Sequence, residues 1–244
     1  MNSHKHHIKL TSIMLILAIT MAFSMQYSSS QPAGATISSN TTDTPTPPSA
    51  GSLATAGGSF TTLLLNVTSQ TPRWKAYVGN ITGQLTLQDS NDQAIYDWEL
   101  ASITGEVYAS RNGSIVWESI ECAARSTIEA EDAFLNISVT KIDSINNTFN
   151  DTIHKTLQVA GLEIANSTCP AIATYVGSAK QVADENADFQ EILLQDGTQL
   201  IYATILEQDS AGYAAGKTFD FQIIMAENEF AGTPTTYYFY AEIG

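Results

Sequence analysis

Between residues 73 and 118 the chain repeats one pattern: short runs in which apolar and polar residues alternate, each broken by a cluster of turn formers. Trp74, Ala76 and Val78 fall on one side of an extended run and Lys75 and Tyr77 on the other, while Leu85 and Leu87 alternate with Gln84 and Thr86. Successive side chains of a strand point to opposite faces, so a period of two marks a strand with one buried face. Asp89-Ser90-Asn91-Asp92 interrupts the pattern with short side chains that bond their own backbone, which predicts a hairpin loop before Tyr96 and Trp98. Ile103, Gly105, Val107 and Ala109 then share a face, Asn112-Gly113 supplies a second turn, and Ile115 and Trp117 resume. The fragments Ile81-Thr82-Gly83-Gln84-Leu85 and Ile103-Thr104-Gly105-Glu106-Val107 look alike, as two strands doing the same job would. The whole stretch predicts consecutive antiparallel strands.

The rest of the chain extends this reading. Residues 59–67, with Leu63-Leu64-Leu65, read as a first strand, and residues 136–140 and 155–164 as later ones. Ser126-Thr127-Ile128-Glu129 fits a capping box and predicts one short helix reaching about Leu135. Residues 143–151 form a polar, asparagine-rich loop. Residues 189–194 and 200–206, joined by Gln195-Asp196-Gly197, predict a hairpin, and residues 218–226 and 235–243 supply the last alternating runs. Many short strands separated by frequent turns predict an all-β chain, an antiparallel β-sandwich or jelly roll with at most one short helix.

Ahead of this domain, Lys5 and Lys9 precede an apolar run from Ile13 to Phe23. The run is short for a bilayer span and suits a secretory leader, which predicts export. Ala33-Gly34-Ala35 has the small-x-small form of a cleavage site, with residues 28–30 as an earlier alternative; left uncleaved, the segment would tie the chain to a membrane. His4, His6 and His7 lie in this leader and read as polarity rather than as metal ligands. Residues 36–58, rich in Ser, Thr and Pro, have almost nothing to bury and read as a flexible tether. The domains expected are therefore a leader at 1–35, a tether at 36–58 and a sandwich at 59–244. No hydrophobic tail follows the last strand, so no carboxy-terminal anchor is expected.

Twenty-five Asp and Glu face 10 Lys and Arg, a formal net charge of −15, and two of the lysines lie in the leader. Such a field repels nucleic acid and anionic lipid, so neither is expected as a partner. Cys122 and Cys169, the only cysteines, are expected to pair, since an exported chain with two cysteines bridges them most simply. Asn-x-Ser/Thr occurs at Asn40, Asn66, Asn80, Asn112, Asn136, Asn146, Asn150 and Asn166, more often than chance provides, and marks candidate N-glycosylation sites.

No catalytic residue, metal ligand or cofactor is read from the sequence. His154 is the one histidine outside the leader, has no nucleophile motif around it and reads as a loop-edge side chain. One histidine and two distant cysteines have the wrong count and spacing for zinc. Asp89-Ser90-Asn91-Asp92 begins like a calcium loop, but Ala94 and Leu100 stand where that loop needs glycine and glutamate. The acidic group of Asp184, Glu185 and Asp188 reads as a solvated loop. Trp74, Trp98 and Trp117, with Tyr77, Tyr96 and Tyr108, are candidates for a sugar-stacking platform, although tryptophans alternating with aliphatics are mostly core.

The segments Trp74-Lys75-Ala76-Tyr77-Val78-Gly79-Asn80, Ala94-Ile95-Tyr96-Asp97-Trp98, Asn166-Ser167-Thr168-Cys169-Pro170 and Tyr237-Tyr238-Phe239-Tyr240 resemble a group of uncharacterised exported β-rich surface proteins of archaea. The resemblance spans most of residues 70–244, implies an envelope location and transfers no catalytic residue. The function expected is a structural or adhesive cell-surface protein, a filament or envelope-layer subunit whose partners are envelope components or copies of itself. An unpaired segment at residues 60–67 would let such a subunit donate a strand. The alternative is a carbohydrate-binding module, which takes glycans as partners through exposed aromatics.

Overall fold

A computed structural model describes residues 31–100, 102–228, 230 and 232–244; residues 1–30 of the leader expected at 1–35 lie outside the described residues. The strands in chain order are β1 Ala33–Gly34, β2 Trp74–Gly79, β3 Leu85–Gln88, β4 Ala94–Trp98, β5 Gly105–Ser110, β6 Glu121–Cys122, β7 Leu157–Val159, β8 Leu162–Ile164, β9 Ala171–Ala173, β10 Gln190–Gln195, β11 Leu200–Ile205, β12 Ser210–Ala211, β13 Thr218–Phe219, β14 Phe221–Ala226 and β15 Tyr238–Ile243. The helices are α1 Arg125–Phe134 and α2 Ile145–Thr148.

Seven strands form the central sheet in the order β1-β15-β5-β11-β10-β6, with β9 also paired to β10, and every pair is antiparallel. Its middle strands are buried on both faces. On one face Ala109, Leu193, Leu200 and Tyr202 pack against Ile128 and Leu135 of the α1 region, Ile145 of α2, and Ile223 and Met225 of β14. On the other, Tyr108, Ile192, Leu194 and Ile201 pack against Trp117, Ile120, Leu157 and Val159. Alternation along β10 thus fills two cores at once, which is why Gln190–Gln195 is buried throughout. Ribbon β2–β14 forms the second layer, in register from Phe221↔Gly79 to Ala226↔Trp74. The all-β, antiparallel expectation holds, in a sandwich-like arrangement with two helices where one was expected.

Local chemistry explains the turns. Asp89 accepts the Asn91 and Gln93 amides at 2.8 and 3.0 Å, and Asp92 takes φ 59°, closing the expected β3–β4 hairpin. Ala160 and Gly161, at φ 51° and 77°, turn β7 into β8, so the single strand expected over 155–164 is a hairpin. The expected β10–β11 hairpin is present in full register.

Other expectations are corrected. Residues 59–67 enter no strand and are exposed, Phe60 at 96% and Leu64 at 99%, so the unstructured stretch runs past residue 58 to residue 70. Asn136 adopts φ 57° and residues 136–140 turn instead of pairing, because Ile137 bonds back to the carbonyl of Asp132. Helix α1 begins without a side-chain cap; Glu129 binds Arg125 at 2.7 Å rather than reaching back to Ser126. Ile115 and Trp117 do not continue as a strand after Asn112-Gly113: Trp117 starts a 3-10 turn and lies beneath the sheet. At the other end of the tether, Ala33 and Gly34, assigned to the leader by sequence, pair with Ala241 and Tyr240 as β1.

Candidate functional site

Cys122 and Cys169 are bonded, their Cα atoms 4.9 Å apart. Cys122 belongs to β6 and Cys169 lies just before β9, the two short strands that share the outer side of β10. The bridge therefore staples both covers of that sheet edge, and disulfides of this kind belong to oxidising compartments. His154 is not at a loop edge but fully buried. Its Nδ1 lies 2.6 Å from the Lys155 carbonyl and its Nε2 accepts the amides of Thr168 and Cys169 at 3.1 and 2.9 Å, which fixes the Nδ1–H tautomer. Burial holds its pKa below the usual histidine range, so it is a neutral clamp on the backbone beside the disulfide.

The three tryptophans are not brought together. Trp117, 6% exposed, sits between the rings of Tyr108 and Tyr240, at 5.2 and 5.3 Å. Trp74 packs near Phe149 on the opposite core and donates Nε1–H to the Asp143 carbonyl at 2.7 Å. Trp98 is 47% exposed on the β3–β4 hairpin with Tyr96 beside it, the two rings at 63°. Of the sequons, Asn40, Asn66, Asn80, Asn136, Asn150 and Asn166 lie at exposed positions and Asn112 and Asn146 at half-buried ones. The amide of Asn112 closes a turn with Ser114, and that of Asn166 donates to Glu185. Asp184 binds its own loop at Asn186. Arg111, forked onto Glu131 at 2.6 Å and stacked 3.6 Å over Phe134, borders an open hollow of about 350 Å³ with Thr235 and Thr236. Among the described residues no three His, Cys, Asp or Glu gather as a metal would need.

A carboxylate pair escaped the sequence reading. Glu106 and Glu242 stand directly opposite each other on β5 and β15. The Tyr108 hydroxyl lies 3.5 Å from Glu106 and 3.4 Å from Glu242, and the Ala160 amide donates to Glu242 at 2.8 Å. Burial, then the Glu242 charge, pushes the Glu106 carboxyl up to about 7. Nothing in the sequence signals this pair, because it exists only through the β5–β15 register.

The most exposed apolar surface lies elsewhere. Thr71 and Arg73 donate to Asp143 at 2.7 and 3.0 Å and fasten the start of β2. From there β2 runs over the β15 side of the central sheet: Lys75 lies 4.8 Å from the Tyr237 ring centroid, and the Tyr77 ring meets Phe239 edge-on at 5.2 Å. Strand β14 covers β11, with Thr204 donating to the Gln222 carbonyl at 2.9 Å. Strand β2 thus ends its layer over β15, which carries only the two-residue β1 beyond it, and a seam runs between the two layers there. The β3–β4 hairpin exposes Leu87, Ile95, Tyr96 and Trp98, and residues 60–67 expose Phe60, Leu63, Leu64, Leu65 and Val67. No described helix is long and apolar enough to cross a membrane. No family model, curated protein or solved structure matches this chain.

Proposed function

We propose that this chain is an exported structural protein of the cell surface, a filament or envelope-layer subunit that works by binding copies of itself. The observation that carries the reading is the exposed apolar segment at residues 60–67, within a stretch lacking any charged side chain between Asp43 and Arg73. An acidic chain gains nothing from keeping Leu63, Leu64, Leu65 and Val67 in water, and contiguous exposed apolar surface marks an interaction site. The Cys122–Cys169 bridge, the leader and the tether support an extracellular setting. The exposed sequons would carry glycans that keep the remaining acidic surface solvated.

The glycan-binding reading draws on Trp98 and Tyr96 alone, whose rings at 63° offer no flat platform to a sugar face, and it is the weaker one. Sedimentation of the exported full chain tests the self-association reading. Assemblies that disappear when residues 36–67 are deleted are expected; unchanged self-association and surface retention in the deleted chain would rule it out.

A further inference from the structure

Of the outer sides presented by β10, β15, β14 and β2, the first three carry a further strand or bonds from the central sheet. On β10 the outer side is taken by β6 and β9, locked together by the disulfide. The free side of β14 is bonded from the central sheet, the Glu191 carboxylate accepting the Ile224 amide at 2.9 Å and Thr204 donating to Gln222. Strand β15 carries β1, with the Ala35 amide adding a bond to the Phe239 carbonyl at 2.9 Å. On the outer side of β2, six residues long, no described strand is paired. An unpaired edge is a template for another strand.

Resting on the self-association reading above, we propose that the outer edge of β2 receives residues 63–67 of a second copy as an added strand, closing the seam over Tyr77 and Phe239. The donor segment fits that edge in three respects. It pairs with no described strand of its own chain and is long enough to run along most of β2. It carries no charge, so it can approach another molecule of formal net charge −15 where most of the surface would be repelled. Its alternation puts Leu63, Leu65 and Val67 on one face, toward the seam, and Leu64 and Asn66 on the other, so a glycan at Asn66 would project away from the joint. Donor and acceptor are different surfaces of one chain, so each copy can receive one neighbour and enter the next, and the contact propagates as an open filament instead of closing as a dimer.

Cross-linking the exported full chain tests this, with Cys122 and Cys169 bonded and silent to maleimides. Leu64→Cys and Ala76→Cys variants, both at exposed positions, are mixed and treated with a short bis-maleimide. A covalent dimer that needs both cysteines, and falls at least tenfold when Leu65→Asp is added to the Leu64→Cys chain, is the expected result. Self-association with the cross-link shifted to an Ala241→Cys acceptor, or with neither acceptor linked, overturns the β2 assignment and leaves the self-association reading standing. A full chain that stays monomeric overturns both.

Discussion

Replacing Glu106 by Gln is expected to stabilise the protein above neutral pH and to leave it unchanged in acid. The unfolded chain ionises this carboxyl near 4.5, whereas the folded chain holds the proton up to about 7 because the side chain is buried and faces Glu242 across the strand pair. The folded state therefore binds more protons than the unfolded state inside that window, and stability falls as pH rises from about 4.5 to about 7, then levels off. At about 1.4 kcal/mol per pH unit, the displacement corresponds to a loss on the order of 3 kcal/mol, complete by pH 8. Glutamine keeps an amide for Tyr108 and carries no charge, so Glu106→Gln recovers most of that loss, roughly 6 to 12 °C in Tm for a domain of this size. Calorimetric melts of both proteins at pH 4, 5.5 and 8 measure it. Parallel pH profiles for the two proteins, with no widening gap above pH 5.5, would refute the coupling. Glu242→Gln should show a smaller part of the effect, since the neighbouring charge is the second cause and burial the first.

Reducing the Cys122–Cys169 bridge, or replacing both residues by Ser, should cost about 4 kcal/mol by the loop-closure relation for a separation of 47 residues, read as a fall in the urea midpoint. His154→Ala strands the buried Cys169 amide and the partly buried Thr168 amide and should cost roughly 2 to 4 kcal/mol. In the wild type the clamp is fully present above pH 6.5 and weakens as acid protonates the ring below it, so the variant's deficit, followed by melts from pH 7.5 to 4.5, should shrink in acid. Asp143→Ala releases Thr71 and Arg73 at the start of β2, keeps the backbone carbonyl that holds the Trp74 indole, and should speed amide exchange in Trp74–Gly79 while leaving Gln190–Gln195 protected.

Strand content was legible because alternation is local: Leu85 and Leu87 against Thr86, or Leu200 to Ile205 after Asp196-Gly197, need only nearest neighbours to declare themselves. The same holds for hairpins whose turn chemistry is written in the loop, as at Asp89 to Asp92. Pairing at a distance was not legible. The sequence places β2 before β3 as though they were neighbours, yet β2 pairs β14 and β5 lies between β11 and β15. Residues 59–67 have strand composition and form no strand, because pairing is a property of two segments and no described segment pairs with this one.

The amino-acid sequence by itself determined the alternating segments, the hairpin turns, the Ser-, Thr- and Pro-rich tether and the two cysteines available to pair, since each follows from composition or from contacts a few residues apart. Tertiary structure alone decided that His154 is buried, that Glu106 meets Glu242, that Trp74 and Trp117 serve opposite cores, and that no described strand pairs the outer side of β2. Each of those depends on register between strands far apart in sequence, and a one-residue slip in such a register sends every side chain to the other face.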